Sequence, residues 1–474
     1  MTEAGTTTRL QAFWSTAAWY LGGAAAIQAI NFVAQPLFAL FMTPAEWGVA
    51  ATYLFWMTAF GLLIGFQAQS ALNNVRTSYG EETLAVYIRS VLPWYAVPTV
   101  LLAAGLAVAP GWWGGVLGLS AGYLGLAVAN GVLFAISAMA MSHAVALGLR
   151  RRFVALSLGV TVAPLVIGFV LVLALADDAL ARILGYFVGT ALVVLFQVTR
   201  AARVRVTPER ALVGFGLAIT LPLLVHELLF LLMSQANRVF LSSMVDERAA
   251  GVFAFAFGLG NVAVVAATAV NGSWTPWYFE HTRAKEDQRV RRTGAELLLG
   301  FGAATGALCL VSPEGLRLIS RAEYADGALV LPGLLVAGHL VLVFNMAANY
   351  AIFLRRTRMV LAVSGGAAAV SVVLNLTLIP RWTILGAAIA SVAAALVLAV
   401  AMMTVSCQVL GARNLPQGAA ALSVLISGGC LAVAWWAFDQ PALRFILAGS
   451  LLLLLVGAVV RRLRPRRRLE QGSA

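Results

Sequence analysis

Eight polar or charged side chains stand in stretches where almost every neighbour is apolar, and their spacing limits what they can do. Gln28, Asn31 and Gln35 recur at i, i+3 and i+7, which places them on one face of a helix. Glu227, Ser234 and Arg238 lie along a second apolar stretch beside His226, Gln235 and Asn237, and Asn345 and Asn349, at i and i+4, share a face of a third. Polar groups in such stretches are expected to face a cavity, where their chemistry is hydrogen bonding and charge pairing along a polar cleft. An ionised side chain deep in hydrocarbon costs about 2.5–3.5 kcal/mol on insertion scales. Glu227 is therefore expected to be paired, or to face a cleft where it can exchange a proton. The amides have an ordinary alternative, since they also join helices to one another by hydrogen bonds.

Other chemistries are excluded. Cys309, Cys407 and Cys430 lie in apolar runs without CxxC spacing, so neither a disulfide framework nor a metal site is expected. His143 and His339 are isolated and read as packed residues. The single lysine, Lys285, follows no glycine run, so the phosphate loop of an ATP-driven pump is absent, and no cofactor is expected. The acid pairs Asp177-Asp178 and Asp246-Glu247 fall in short loops, a poor basis for a membrane glycosyltransferase or ligase.

The elements that must position these residues are membrane spans. Of 474 residues, 61% are hydrophobic and 11% charged, with a mean hydropathy of +0.90, whereas soluble domains run at roughly 45–50% apolar and 25% charged. Counting stretches of about 20 apolar residues gives fourteen, from 12–41 to 443–460. The first is too long for the core of a cleaved signal. Twenty-five of the 32 Lys and Arg fall in one alternating set of loops and tails, including Arg150 to Arg152, Arg289 and the tail from Arg461. Arg182, Arg317 and Arg444 are among the few in the opposite set. Positive charge keeps short loops cytoplasmic, so both termini are expected there, and the net charge of +13 reflects topology rather than nucleic-acid binding. Trp274, Trp277 and Tyr278 read as an interfacial aromatic belt.

The chain also repeats itself. Asn31 to Leu54 resembles Ser234 to Phe257 at an offset of 203, aligning Gly48 with Gly251 and Gln35 with Arg238. LRRRF from Leu149 matches LRRTR from Leu354, and Ile183-Leu184-Gly185 matches Ile384-Leu385-Gly386. The expected organisation is an all-α polytopic membrane protein of about 14 transmembrane helices. Residues 1–205 form an N-terminal lobe of six spans, 206–412 a second lobe in parallel repeat, 413–460 two additional spans and 461–474 a basic cytoplasmic tail. Parallel-repeat transporters place substrate between their lobes, and the polar faces of the first span of each lobe correspond.

Four segments resemble the polysaccharide or oligosaccharide-lipid flippases, the Wzx-type branch of the multidrug/oligosaccharidyl-lipid/polysaccharide exporter (MOP) superfamily. They are PLFALFMTPAEWGVAATYL from Pro36, MSQANRVFLSSMVDERAAGVFAFAF from Met233, ISRAEYADGALVLPGL from Ile319 and, most specifically, VLNLTLIPRWTILGAAIASVAAAL from Val373. The family's usual Asp before the arginine of span 7 is Asn237 here, while Arg238 matches. The resemblance implies a polyprenyl-diphosphate-linked oligosaccharide as substrate, moved to the outer leaflet of a bacterial cytoplasmic membrane. It also implies contact with membrane lipids, and proteins of polysaccharide assembly as candidate partners. Alternatives are a cation-coupled multidrug exporter of the same superfamily and, from another class, a membrane glycosyltransferase or ligase.

Overall fold

The computed structural model describes the backbone of residues 26–175, 178–201 and 207–463, with the side chains of 198–201 and 458–463 left aside. Among the described residues the fold is all-α, and eleven helices are long and apolar enough to cross a membrane. Three of the fourteen expected spans do not appear as separate qualifying helices. Residues 12–25 of the stretch 12–41 lie outside the described residues, leaving Ala26–Ala39, and the last span is described as apolar over Pro441–Gly457. The third case has a physical cause. The stretches expected at 359–379 and 383–410 run together as Thr357–Thr404, but the backbone leaves helical geometry at Thr383, with φ 48°, and two helices meet there across a kink. Pro380 removes a hydrogen bond one turn before the break, and the two expected spans follow each other with no intervening loop.

The chain divides into two compact units, Met1–Gly258 with Ala368–Ala387, and Leu259–Ala367 with Ala388–Ala474. The first holds α1 (Ala26–Ala39) and α2 (Pro44–Gly65). Thr43 starts α2 with a capping box: its backbone N–H donates to Glu46 Oε2 at 2.7 Å and its Oγ1 accepts from the Glu46 N–H at 3.4 Å. Six helices follow: α3 (Leu72–Tyr79), α4 (Thr83–Val91), α5 (Ala96–Val108), α6 (Pro110–Leu117), α7 (Ala121–Ala146) and α8 (Arg150–Ala174). After them come α9 (Asp178–Ala201), α10 (Arg210–Gln235), α11 (Asn237–Met244) and α12 (Glu247–Arg283), which begins in this unit. The core lies where α2 packs on α7, around Tyr53, Ile64, Leu124 and Tyr87.

The first turns of α2 and α12 meet backbone to backbone. A Cβ on Gly48 would overlap the Glu247 carbonyl, and one on Gly251 would overlap that of Pro44. The two positions aligned by the internal repeat therefore touch, and only residues without a side chain allow it.

The second unit holds the rest of α12, α13 (Asp287–Ile319), α14 (Gly327–Phe353), parts of α15 (Thr357–Thr404), α16 (Gln417–Trp436) and α17 (Pro441–Leu463). α13 packs against α14, α16 and α17. Arg444 was expected in a loop but is wholly buried. It forms an ion pair with Glu314 and donates to the carbonyls of Leu310 at 3.1 Å, Ala437 at 3.0 Å and Phe438 at 3.0 Å, tying α17 to α13. The aromatic belt also needs correction. Trp274 and Tyr278 are buried, and Tyr278 donates its hydroxyl to Asn414 Oδ1 at 3.1 Å. A sequence window shows that residues lie near a span end and leaves open which side of the helix they occupy.

Candidate functional site

The polar face of α1 is described over its whole predicted length. Gln28 is exposed, and Asn31 and Gln35 are half-buried. Gln35 reaches α12: its amide occupies the space a Cβ on Gly258 would need, and its Oε1 is buried without a hydrogen-bond partner. On α10, Glu227 is half-buried. Ser234 returns its hydroxyl to the Phe230 carbonyl of its own helix at 2.7 Å, a local bond that links it to no other element.

Arg238 opens α11, just past the break at Ala236. Its guanidinium lies 4.9 Å from the ring centroid of Phe257 and donates to Gln235 Oε1 at 3.4 Å, while Nε is buried without a partner. Gln35 and Arg238, aligned by the repeat, thus meet consecutive residues of α12. The neighbouring Asn237 is buried. Its Oδ1 accepts from Asn375 Nδ2 at 2.8 Å, joining two of the segments that carry the family resemblance.

Asn345 and Asn349 lie on α14 in the second unit, apart from the other six residues in the division of the chain. Asn349 is buried and committed to α12, donating to Asn271 Oδ1 at 2.8 Å and accepting from Thr275 Oγ1 at 3.2 Å. Asn345 is half-buried.

Sequence reasoning assigned Arg182 to a loop, yet it sits in the second turn of α9 and is only 5% exposed. Its Cζ lies 3.6 Å from the centroid of Phe38 and 4.6 Å from that of Tyr186, and Nη2 donates to Tyr186 Oη at 2.8 Å. Nη1 has no partner. It rests against Gly168 of α8, where a Cβ would stand 3.3 Å away. Tyr186 is also within electrostatic range of Arg238. The i, i+4 spacing of Arg182 and Tyr186 inside an apolar run was the available signal. Neither guanidinium has a carboxylate within ion-pair distance among the described residues. Desolvating an ion costs several kcal/mol even after relaxation, and a desolvated cation–π contact returns about 2. The aromatic rings therefore offset only part of the cost.

Comparison with known proteins gives no match to any protein-family profile and none among curated protein sequences. Solved structures do match. A structure of the lipid II flippase MurJ in an inward closed conformation aligns with a TM-score of 0.72 at 11% identity, covering 93% of this chain and 98% of that one. An inward-facing multidrug resistance MATE family transporter of the MOP superfamily aligns at 0.63 and 14%, covering 81% and 96%. An outward-facing one aligns at 0.55 and 15%, covering 82% and 93%. The fold is the one those transporters share. At these identities the likeness is one of fold.

Proposed function

We propose that the chain is a flippase that moves a polyprenyl-diphosphate-linked oligosaccharide from the cytoplasmic to the outer leaflet of a bacterial cytoplasmic membrane, for cell-surface polysaccharide synthesis. In this reading fourteen spans, with both termini cytoplasmic, form two six-helix lobes, 1–205 and 206–412, that alternate access to a cleft between them. Gln28, Asn31, Gln35, Glu227, Ser234, Arg238, Asn345 and Asn349 contribute to binding.

The observation that carries the reading is Arg238 without an acid within ion-pair distance among the described residues. The residue before it is the neutral Asn237, already committed to Asn375, so the guanidinium keeps its positive charge available for an anionic head group. A diphosphate of about two negative charges gains about 2.3 kcal/mol per charge per 100 mV when an inside-negative potential drives it outward, so export needs no ATP. The decisive experiment is depletion of the protein in its host. Lipid-linked oligosaccharide should accumulate on the cytoplasmic face of the membrane. A ligase would instead leave such intermediates on the outer face.

A second reading, a cation-coupled multidrug exporter, is favoured by Glu227, a half-buried carboxylate that makes no hydrogen bond or ion pair among the described residues and could exchange a coupling ion. It predicts altered drug sensitivity on depletion, with no accumulated lipid intermediate.

A further inference from the structure

The segment that joins α2 to α5 has no part in the function proposed above, although its backbone is strained at two adjacent residues. α2 ends in the left-handed region at Phe66, with φ 48°, and Gln67 follows with φ 55°. Neither is glycine, and such residues persist only where their surroundings hold them. Much of what holds them is α10. Phe66 packs in one apolar cluster with Leu224 and Leu231, and the short 3-10 turn Ala68–Ala71 that follows rests on the same helix. Tyr87 of α4 is wholly buried and donates its hydroxyl to the Ala68 carbonyl at 2.9 Å. Its ring meets α10 at Gly216, where a Cβ would stand 2.5 Å from the hydroxyl oxygen and 2.7 Å from Cε2. Glycine weakens a helix interior relative to alanine, and here it keeps the space that the tyrosine fills. Two further contacts flank this one. Ser90 Oγ accepts from the Glu209 N–H at 2.7 Å just before α10 begins, and the Tyr79 ring packs edge-on against Phe215 with centroids 5.1 Å apart.

We propose that the segment from Phe66 to Ser90 is an inner latch: a platform fixed to the first lobe, which α10 leaves to admit substrate and rejoins when the cytoplasmic end of the cleft closes. In the two lobes proposed above α10 is the first span of the second, so its contacts with α4 cross the seam between them. Arg76 and Arg89 place the segment in the set of basic loops expected in the cytoplasm. The platform also has supports that do not involve α10. Tyr87 is bonded to Ala68, and Arg76 donates to the Ala146 carbonyl at the end of α7, so α10 can depart without unravelling it. What departure does remove is the packing on Phe66 that helps to hold the strained turn. The turn therefore has a reason to differ between the docked and the released state, which a uniformly relaxed connector would lack.

The latch rests on the transport reading, and the two can fail separately. In full-length protein lacking Cys309, Cys407 and Cys430, spin labels at Arg89→Cys and Arg210→Cys, both exposed positions, report the separation of α4 from the start of α10 in lipid nanodiscs without any substrate. This parent should show a short distance. Gly216→Ala, which forces the Tyr87 ring aside, should move most of the population to longer distances, whereas Gly214→Ala, with open space around it, should leave the distance as it is. Ser90→Ala removes the bond to Glu209, should shift a smaller share, and carries the test if Gly216→Ala does not fold. Export is then measured with Ser90→Cys and Glu209→Cys in the same cysteine-free background. Oxidation should bridge them and stop export, and reductant should restore it. Distances unchanged in both Gly216→Ala and Ser90→Ala, or export undiminished in fully bridged protein, overturn the latch. Distances that shift as expected in a protein whose depletion traps no lipid-linked oligosaccharide would overturn the substrate reading and leave the latch standing.

Discussion

Asn375 Nδ2 donates to Asn237 Oδ1 at 2.8 Å in the buried interior of the first unit, linking α15 to the first residue of α11. Asn375 also donates to the Ser371 carbonyl at 2.8 Å, so both N–H groups of its amide are engaged and hold Asn237 in a fixed orientation. Because Asn237 directly precedes Arg238, this bond sets where the chain turns as it delivers the guanidinium to Phe257. Asn237→Ala and Asn375→Leu should each lower the melting temperature in detergent. Their double-mutant cycle should show a coupling of about 0.6 to 1.7 kcal/mol, the range for hydrogen bonds between membrane helices. Purely additive losses would mean that the pair holds nothing together.

Asn237→Asp restores the acid found at this position in the resembling family. The carboxylate can still accept from Asn375, so the fold should be retained. Its charge would be available to Arg238, and export should fall while membrane levels stay normal. Quantifying accumulated lipid-linked oligosaccharide beside immunoblots of the membrane fraction measures both. Export at the wild-type rate would remove the argument that Arg238 needs a neutral neighbour.

In the second unit the buried pair Glu314 and Arg444 makes a different prediction. Removing one partner leaves the other charge uncompensated, at a cost of about 3–5 kcal/mol, while replacing both by apolar residues is often neutral. Glu314→Leu, which strands the wholly buried Arg444, should therefore destabilise more than the double variant Glu314→Leu with Arg444→Met, whereas loss of Arg444 alone leaves Glu314 its contact with Arg317 at 3.7 Å. Limited proteolysis should cut near α17 first in the single variant. The reverse order of stability would show that the hydrogen bonds from Arg444 to the Leu310, Ala437 and Phe438 carbonyls matter more than the charge pair.

The comparison of Arg444 with Gln35 shows what could be read in the sequence. Apolar stretches long enough to span a membrane are visible in one dimension, because the bilayer sets their length and excludes charge from them. The shared face of Gln28, Asn31 and Gln35 followed from helical spacing alone. Which way an isolated arginine near a helix end turns depends on packing from elements more than a hundred residues away, as for Arg444 against Glu314, or from α1 against α9, as for Arg182 against Phe38. Both arginines looked like loop residues for that reason. The break at Thr383 was visible by contrast: Pro380 suggested two helices, and two helices meet there across a kink. The bond between Asn237 and Asn375 joins residues far apart in the chain, and no local pattern could have paired them.

The orientation read from charge gives a direct chemical test. Cysteines placed singly at Arg150, Arg203, Arg289 and Arg356 in a variant lacking Cys309, Cys407 and Cys430 should resist impermeant thiol reagents in intact cells and react once the membrane is opened. Labelling of the Arg289 position in intact cells would reverse or break the fourteen-span topology.

The final prediction concerns movement at the contact between α1 and α12. The Gln35 amide fills the space a Cβ on Gly258 would take, so cysteines at these two positions would have their Cβ atoms within about 5 Å, near the separation a disulfide needs. Oxidation of Gln35→Cys with Gly258→Cys should therefore cross-link efficiently in the described conformation. α2 and α12 also meet at Gly48 and Gly251, and the alternating access proposed above would require contacts of this kind to part. A covalent bridge should hold this contact shut: export by the reduced double variant should stop on oxidation and return with reductant. Cysteines that cross-link fully yet leave export unchanged would mean that α1 and α12 never part during transport. Substrate would then have to leave by another route than the seam next to Gln35, and rocking about that seam would have to be abandoned.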